Sequence, residues 1–259
     1  MNNNQIHLIG ISGKIGSGKD TVGKLIQYFT SPEFPEISYK KYCKLKTVYP
    51  KYQIKKYADK LKYIVCLLIG CTREQLEDQE FKNTPLGKEW LRWFCVDVNG
   101  YKEIFYNQKD AEAYQKYWQE PTRNISIIPA SLTPRLLLQL LGTDCGRKII
   151  HENIWINALF ADYRTQVDFN KNLPQNCNWI ITDVRFPNEA DAIKERGGIL
   201  VRLTRSIPVE SEVAVHPSET ALDNYDNYGK GFDYILDNQG TEEELYDKVY
   251  NMLIELKVL

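Results

Sequence analysis

The chain has 259 residues, with 33 lysines and arginines against 34 aspartates and glutamates. Because these charges cancel, no net field draws the protein to nucleic acid or to a membrane surface. A hydrophobic fraction of 43% is typical of a globular protein and excludes a chain that stays disordered. We expect a single α/β domain over residues 1–259.

The cysteines and the N-terminus exclude further classes of protein. The 6 cysteines form no Cys-x-x-Cys pair and the chain has 3 histidines, which argues against structural zinc. The first ten residues lack the basic start of a signal peptide, and no apolar run approaches the roughly 20 residues of a membrane span. The longest such run, 64–69, is expected to be the buried part of a helix. We therefore expect a cytoplasmic protein with reduced thiols.

Strands and helices are predicted to alternate along the chain. Residues 6–12 form a short apolar run typical of a buried strand, and residues 19–29 place four apolar side chains on one helical face. Further strands are expected at 53–58, 178–182, 199–204 and 232–236, and further helices at 59–69, 187–196 and 241–256. This alternation predicts a five-stranded parallel sheet between two layers of helices.

Two stretches interrupt the alternation. Asn99-Gly100 between β-prone runs predicts a hairpin over 96–106, within an insertion at about 90–120. Residues 205–231 contain two prolines and little periodicity, so they are expected to form a long surface loop. Loops of that length in compact domains are often lids.

The segment from Gly13 to Thr21 has the spacing G-x-x-x-x-G-K between a predicted strand and a predicted helix. In that context the backbone N–H groups and the helix N-terminus bind phosphate, while Lys19 supplies a full charge near the β and γ oxygens. The alternative is an accidental glycine-rich turn. The residues expected to bind ATP here are Gly13, Gly16, Ser17, Gly18, Lys19, Asp20 and Thr21.

Asp20 departs from the usual loop, which has Ser or Thr after the lysine to offer a hydroxyl to Mg²⁺. Its carboxylate can take a metal position itself, since Mg²⁺ accepts either type of oxygen. The alternative is an acidic side chain favoured by the helix dipole. Which of Asp20 and Thr21 contacts the metal is left open.

The signature motifs of two other classes of nucleotide-binding protein are missing from this sequence. A GTPase needs Asn-Lys-x-Asp, and the nearest match, at 170–173, lacks the final carboxylate. A motor ATPase usually has Asp-Glu after its second core strand, where this chain has Asp183-Val184-Arg185. Phosphoryl transfer to a substrate oxygen is therefore favoured over hydrolysis.

Two polar segments are candidates for the acceptor site. Residues 183–190 follow a predicted buried strand, at the edge of a parallel sheet where ligands bind. The second segment is a helix predicted to begin at Thr133-Pro134. It carries four polar residues at steps of four, opposite a leucine face: Arg135, Gln139, Thr143 and Arg147. Such a stripe suits a phosphate and a base edge, although a solvated helix face is the alternative.

Several motifs together resemble the deoxynucleoside monophosphate kinases encoded by bacteriophages. They are the glycine-rich loop with Gly-Lys-Asp-Thr, residues 57–62, 134–144, Trp155, 183–189 and 218–220, and they cover most of the chain in the right order. The resemblance implies an α/β P-loop fold like that of nucleoside monophosphate kinases. It also implies transfer of the γ-phosphoryl group of ATP to a deoxynucleoside monophosphate, with Mg²⁺ as cofactor.

The same resemblance suggests roles for individual residues. Lys19, Arg135, Arg147 and Arg185 would be catalytic, Arg205 would close over the ATP phosphates unless it is a solvated loop arginine, and Asp20 and Asp183 would serve the metal. The acceptor would be bound by Lys14, Lys60, Arg135, Gln139, Gly142, Thr143, Arg147, Trp155, Asp183 and Glu189. For Trp155, core packing is the alternative.

The sequence leaves other functions open. An animal-type phosphomevalonate kinase also carries a Ser-Gly-Lys-Asp loop, and a regulatory protein would hold ATP without transferring it. The accepted bases and a homodimeric state are likewise left open.

Overall fold

The computed structural model describes residues 6–45, 48, 50–169, 178–205, 220–225 and 231–259. Most of the predicted lid, 205–231, and the 218–219 part of the last motif lie outside these residues. The chain forms two compact units: the sheet unit, residues 1–60 and 153–259, and the inserted unit, residues 61–152. That the whole chain acts as a single domain stays a prediction.

The described part of the chain contains eight strands and nine α-helices. The strands are β1 (Leu8–Ser12), β2 (Gln53–Lys55), β3 (Leu91–Val96), β4 (Lys102–Phe105), β5 (Ser126–Ser131), β6 (Trp179–Val184), β7 (Ile199–Thr204) and β8 (Tyr234–Asp237). The helices are α1 (Lys19–Phe29), α2 (Tyr39–Tyr42), α3 (Asp59–Ile69), α4 (Gln79–Asn83), α5 (Gln108–Trp118), α6 (Pro134–Gln139), α7 (Ile154–Phe169), α8 (Pro187–Lys194) and α9 (Glu242–Glu255). A π-helical stretch, Leu140–Ile150, follows α6, and 3₁₀ turns lie at Gln75–Glu77 and Lys88–Trp90. No described helix is long and apolar enough to cross a membrane.

The sheet unit is built on one parallel sheet in the order β2-β6-β1-β7-β8. This confirms the predicted five-stranded parallel sheet. The chain moves from β1 to one side of the sheet and, after β6, crosses to β7 on the other side of β1. Ligands of such sheets bind at the carboxyl ends of the strands where this change of side occurs, which is where the glycine-rich loop leaves β1.

Helices cover both faces of this sheet. All five residues of β1 are buried, as expected for a strand between two helical layers. On one face Ile9 and Ile11 pack with apolar side chains of α1 and α9. On the other face Leu8 and Trp179 pack with α7 and α8. The three-layer fold class predicted from the sequence is therefore confirmed.

Two helix boundaries follow from local sequence. The Thr241 hydroxyl accepts a hydrogen bond from Glu244 N–H, and Glu244 accepts one from Thr241 N–H, which starts α9 with a capping box. After α8, Gly197 has a φ of 71° and Gly198 N–H donates to the Ile193 carbonyl. These glycines end the helix as predicted.

The inserted unit contains an antiparallel sheet in the order β4-β3-β5. The predicted hairpin is confirmed: Asp97 Oδ1 accepts hydrogen bonds from the N–H groups of Asn99 and Tyr101, and Gly100 has a φ of 79°. The helix α5 packs on one face of this sheet around the buried residues Cys95, Ala111 and Ile125. The sequence indicated an insertion here but neither α5 nor β5.

Two sequence expectations in the inserted unit are wrong. The apolar run 64–69 is not uniformly buried, because Leu67 is 84% exposed and Leu68 51% exposed, although Val65 is fully buried. The polar stripe from Arg135 to Arg147 does not lie on one regular α-helix. From Leu140 the helix is π-helical, and its i→i+5 hydrogen bonds widen each turn, so residues four apart no longer stack in line.

Candidate active site

The glycine-rich loop makes a sharp turn between β1 and α1. Gly18, at the start of α1, has a left-handed backbone with φ 94° and ψ 19°, and Gly16 has a φ of 75°. Side chains disfavour both conformations, so glycine is required. Ser17, which is buried, closes the turn by donating its N–H to the Lys14 carbonyl at 3.2 Å. The turn leads directly into the first N–H groups of α1, which attract anions.

The side chain of Lys19 folds back over this loop. Its Nζ donates to the Gly13 carbonyl at 2.6 Å and to the Lys14 carbonyl at 2.7 Å. These two bonds hold a full positive charge above the turn, at the N-terminus of α1. The arrangement suits the binding of a polyphosphate.

A residue that the sequence motifs do not include, Asn238, supports the loop from beyond β8. Asn238 is buried, and its Nδ2 donates to the Ser17 carbonyl at 2.9 Å. A Cβ atom at Gly18 would lie 2.7 Å from that same Nδ2. The sequence signal was slight: a polar segment directly after a predicted strand, at the edge where ligands bind.

Asp20 is bound by two side chains, one from β6 and one from the residue that follows β2. Its Oδ1 accepts a hydrogen bond from Thr182 Oγ1 at 2.7 Å, and its Oδ2 accepts one from Lys56 Nζ at 2.9 Å. Burial alone would raise the pKa of this carboxyl. The hydrogen bonds from Lys56 and Thr182 and the charges of Lys56 and Lys19 outweigh burial, so the pKa lies below its ordinary value. Asp20 is therefore an anion at neutral pH.

The donor set near Asp20 fits magnesium bound together with phosphate. Among the described residues, no group of three or more His, Cys, Asp or Glu side chains could hold a metal by itself. Magnesium is usually held by one or two carboxylates, waters and substrate phosphates rather than by a complete protein cage. Asp20 offers such a carboxylate, and Thr21, the other predicted contact, lies exposed beside it on α1.

Asp183 uses its carboxylate differently. Its Oδ1 accepts from Tyr57 N–H at 2.8 Å and its Oδ2 from Ala58 N–H at 3.1 Å. Burial raises the pKa of Asp183, and it outweighs the two backbone hydrogen bonds and the charge of Arg185, which lower it. Because its two oxygens accept these backbone N–H groups, Asp183 anchors the turn between β2 and α3.

Glu189, predicted to bind the acceptor, is buried at the start of α8. Its Oε2 accepts hydrogen bonds from the N–H groups of Arg185 at 2.8 Å and Phe186 at 3.1 Å. Its backbone carbonyl accepts from Tyr57 Oη at 2.9 Å. These contacts fix the segment that carries Arg185, another predicted site residue.

Two further predicted residues of the sheet unit lie on or against α7. Trp155 is 8% exposed near the start of that helix. Lys60 Nζ forms an ion pair with Asp162 Oδ1 at 2.9 Å.

In the inserted unit, Arg135 is exposed and bound to two neutral amides. Its Nε donates to Asn83 Oδ1 at 2.7 Å and its Nη2 to Gln79 Oε1 at 2.8 Å. These neutral partners orient the guanidinium without cancelling its charge. The other predicted residues of this unit lie on α6 and the π-helical stretch: Gln139 is exposed, Thr143 and Arg147 are half-buried and Gly142 is buried, where a Cβ would lie 2.7 Å from Leu61 Cδ2.

A cavity of about 630 Å³ in the sheet unit adjoins the loop. Lys14 and Arg205 both line it, together with apolar residues that include Leu222, Phe232 and Ile235. Arg205 Nη1 donates to the Gly16 carbonyl at 3.4 Å. The structure thus brings Lys14, predicted for the acceptor, and Arg205, predicted for ATP, to the same cavity.

Arg202 shapes the inner wall of this cavity. Its Nη1 donates to Ser12 Oγ at 2.8 Å, its Nη2 is paired with Asp223, and its guanidinium lies 5.6 Å from the centroid of the Phe232 ring. Arg202 lies in β7, and these partners come from other parts of the chain.

A parallel sheet with its glycine-rich loop at the strand ends, and a lysine held over that loop, define a P-loop nucleotide-binding protein. The model of the deoxynucleotide monophosphate kinase family matches residues 7–249, and the chain belongs to this family. The family resemblance and the kinase function predicted from the sequence are therefore confirmed.

Two relatives agree with this assignment. The chain is 29% identical over 228 residues to the deoxynucleoside-5′-monophosphate kinase of Escherichia phage T5, covering 83% of this chain and 84% of the relative. It is 38% identical over 124 residues to a protein of Acanthamoeba polyphaga mimivirus provisionally named a deoxynucleotide monophosphate kinase, covering 45% of this chain and 59% of the relative.

Proposed function

We propose that the protein transfers the γ-phosphoryl group of ATP to a deoxynucleoside 5′-monophosphate, giving ADP and a deoxynucleoside diphosphate. The observation that carries the proposal is the Lys19 ammonium, held 2.6 and 2.7 Å from two carbonyls of the loop at the start of α1. A triphosphate is the natural ligand of this arrangement.

The chemistry needs positioning and charge more than proton transfer. The attacking oxygen of a monophosphate is already anionic, so the reaction requires no strong general base. Lys19 and Arg185 of the sheet unit would stabilise the charge that spreads over the transferred phosphoryl group. Asp183, bound to two backbone N–H groups, is not required as a base.

Magnesium would be held by Asp20, the alternative left open by the sequence being Thr21, with Asp183 near it through water, as the family resemblance implies. When bound, the ion neutralises charge on the β and γ oxygens of the donor. The rest of the donor phosphates would contact Gly13, Gly16, Ser17, Gly18, Lys19 and Thr21. Arg205 would lie over the phosphates, and the cavity beside it, lined by both apolar and polar side chains, has the size of a nucleoside pocket.

The acceptor-binding residues remain those predicted from the sequence. In the sheet unit they are Lys14, Lys60, Trp155, Asp183 and Glu189, and in the inserted unit Arg135, Gln139, Gly142, Thr143 and Arg147. Arg135 is the sharpest candidate among them, because its partners are neutral and it keeps a positive charge for a phosphate.

Steady-state kinetics test the reaction and the placement of Arg135. Each of the four deoxynucleoside monophosphates is supplied with ATP and Mg²⁺, and ADP release is followed. Arg135→Ala should lower kcat/KM for the acceptor about tenfold to a hundredfold while KM for ATP changes little. Lys148→Ala is the matched control, since that lysine pairs with Asp144 four residues earlier in the chain. A change in ATP affinity alone would contradict the role of Arg135.

The same assay separates the remaining alternatives. ADP release that depends on a deoxynucleoside monophosphate supports the proposal, whereas ATP binding without turnover supports a regulatory protein. ADP release that depends only on a phosphorylated isoprenoid precursor would instead support a phosphomevalonate-type kinase. A location in the cytoplasm of an infected host cell and a homodimeric state stay predictions.

A further inference from the structure

Lys56, a residue that neither the loop motif nor the polar stripe includes, lies against the loop. Its Nζ is 2.9 Å from Asp20 Oδ2. The lysine side chain is 28% exposed and the aspartate side chain 61% exposed. The lysine side chain is therefore largely buried, while the aspartate side chain is exposed to solvent.

The backbone delivers Lys56 to this position. The lysine follows β2, whose residue Lys55 pairs with Ile181 of β6. Lys56 N–H donates to Asp59 Oδ2 at 3.1 Å, and the next two N–H groups donate to Asp183. Three consecutive N–H groups are thus held by carboxylates, so the place where the lysine side chain begins is fixed.

Alternation along the strand separates Lys56 from its neighbour. Successive side chains of a strand point to opposite faces. The Nζ of Lys55 lies 5.2 Å from the centroid of the Trp179 ring, whereas that of Lys56 reaches Asp20. Lys55 is therefore a natural comparison: it has the same charge and lies at the same sheet edge, but it does not contact Asp20.

Asp20 has the one carboxylate in the segment from Gly13 to Thr21, and one of its oxygens already has a cation as partner. An ammonium at 2.9 Å repels a divalent cation that approaches the same oxygen. Thr182 holds the other oxygen at 2.7 Å and so limits rotation of the carboxylate away from the lysine. Metal and lysine therefore compete for Asp20.

We propose that Lys56 is a positioning residue that blocks Asp20 against divalent cations until a nucleoside triphosphate is bound. This inference rests on the proposed function, because it takes Asp20 as the carboxylate that serves the metal. The triphosphate offers the Lys56 ammonium a new anionic partner, and its departure from Asp20 opens the carboxylate oxygen. Metal binding thereby becomes conditional on the nucleotide.

Direct Mn²⁺ binding tests the proposal, with bound ion followed by the loss of the free Mn²⁺ electron paramagnetic resonance signal. In the nucleotide-free protein, Lys56→Met should bind Mn²⁺ about fivefold more tightly than the wild type, the factor expected for removing one partly exposed ion pair. Lys55→Met should bind like the wild type. An unchanged affinity in Lys56→Met, or the same gain in Lys55→Met, would overturn the proposal.

Three further measurements locate the effect. Lys56→Arg keeps the charge and should bind as weakly as the wild type, and Asp20→Asn in the Lys56→Met background should remove the gain. With a non-hydrolysable ATP analogue present, the wild type and Lys56→Met should differ less in Mn²⁺ affinity than without it. An undiminished difference would show that the nucleotide does not move Lys56, against the proposal.

Turnover measured on the same wild-type preparation keeps the two proposals apart. If deoxynucleoside monophosphates are not phosphorylated but Lys56→Met gains Mn²⁺ affinity, the reaction assigned above fails and the role of Lys56 stands. If turnover is present and Mn²⁺ affinity is unchanged, the role of Lys56 fails alone.

Discussion

The β1–α1 junction and the β6–α8 junction follow neighbouring strands of the same sheet, and both carry the charged residues predicted for the site. At the β1–α1 junction, the side chain of Lys19 reaches back to the loop, and that of Asp20 contacts Thr182 of β6 and Lys56, which follows β2. At the β6–α8 junction, the carboxylates of Asp183 and Glu189 accept backbone N–H groups.

The two junctions use charged side chains for different purposes: the first for binding a ligand, the second for fixing the backbone. A lysine that donates to the carbonyls of a glycine-rich loop places its positive charge at that loop. A buried carboxylate that accepts backbone N–H groups fixes the chain and makes the removal of those bonds costly. The first junction is thus suited to bind a polyanion, and the second to hold Arg185 and the turn after β2 in place.

The substitution with the largest expected effect is Lys19→Ala, at the β1–α1 junction. We expect turnover to fall about 100- to 1,000-fold, because the charge aimed at the donor phosphates is lost. The free energy of unfolding should change by no more than about 1 kcal/mol, since of the two hydrogen bonds to loop carbonyls that are lost one is exposed and the other is part-buried. Kinetics and urea denaturation measure both quantities. Unchanged turnover would remove the assignment of the loop.

Glu189→Ala tests the second junction in the opposite way. The substitution leaves two N–H groups at a helix start without their buried acceptor, so we expect unfolding to become about 2–3 kcal/mol easier. Glu195→Ala, at an exposed position after the same helix, is the matched control. Urea denaturation followed by circular dichroism checks the result. A stable variant that had lost acceptor binding would show that Glu189 serves the ligand instead.

Titration of Asp20 and Asp183 tests whether the two junctions hold their carboxyl groups in different protonation states. Carbon-13 NMR of the carboxyl groups should place the pKa of Asp20 below 3.8 and that of Asp183 above 3.8, and Lys56→Met should raise the pKa of Asp20. Stability due to Asp20 is then present above pH 3.8 and is lost as the pH falls through its folded-state pKa. Stability due to protonated Asp183 is full below pH 3.8 and is lost as the pH rises through its folded-state pKa.

Asn238→Ala is the smallest of these changes. It removes one hydrogen bond to the Ser17 carbonyl, so we expect a loss of about 1 kcal/mol in unfolding free energy. KM for ATP should rise while KM for the acceptor stays the same, because the affected atoms belong to the loop. Equal increases in both constants would contradict a local role.

The parts of the fold that could be predicted from the sequence are those determined by residues that are close together in the chain. The glycine-rich loop, the Asn99-Gly100 hairpin and the glycines after α8 depend on neighbouring residues. The contact between Lys56 and Asp20 spans 36 positions, and a lysine next to another lysine resembles a solvated surface. Asn238 likewise depends on a loop more than 200 positions away.

The inserted unit shows the same limit. β5 contains Pro129 and alternates poorly, so its pairing with β3 could not be predicted from its own residues. The change from α-helix to π-helix after Gln139 leaves no mark in the spacing of the polar residues. The candidate acceptor residues on this helix therefore remain predictions of chemistry, without the geometric support that the loop has.

The ion pair between Lys60 and Asp162 affects the conformational entropy of the chain segment between them. Lys60 is the last residue of the sheet unit before the chain leaves it, and Asp162 lies on α7, directly after the chain returns. The ends of the intervening segment are thus tied within the sheet unit itself. Because each doubling of a closed loop costs only about 0.6 kcal/mol, that segment can lengthen or shorten over evolution while the nucleotide-binding sheet keeps its stability.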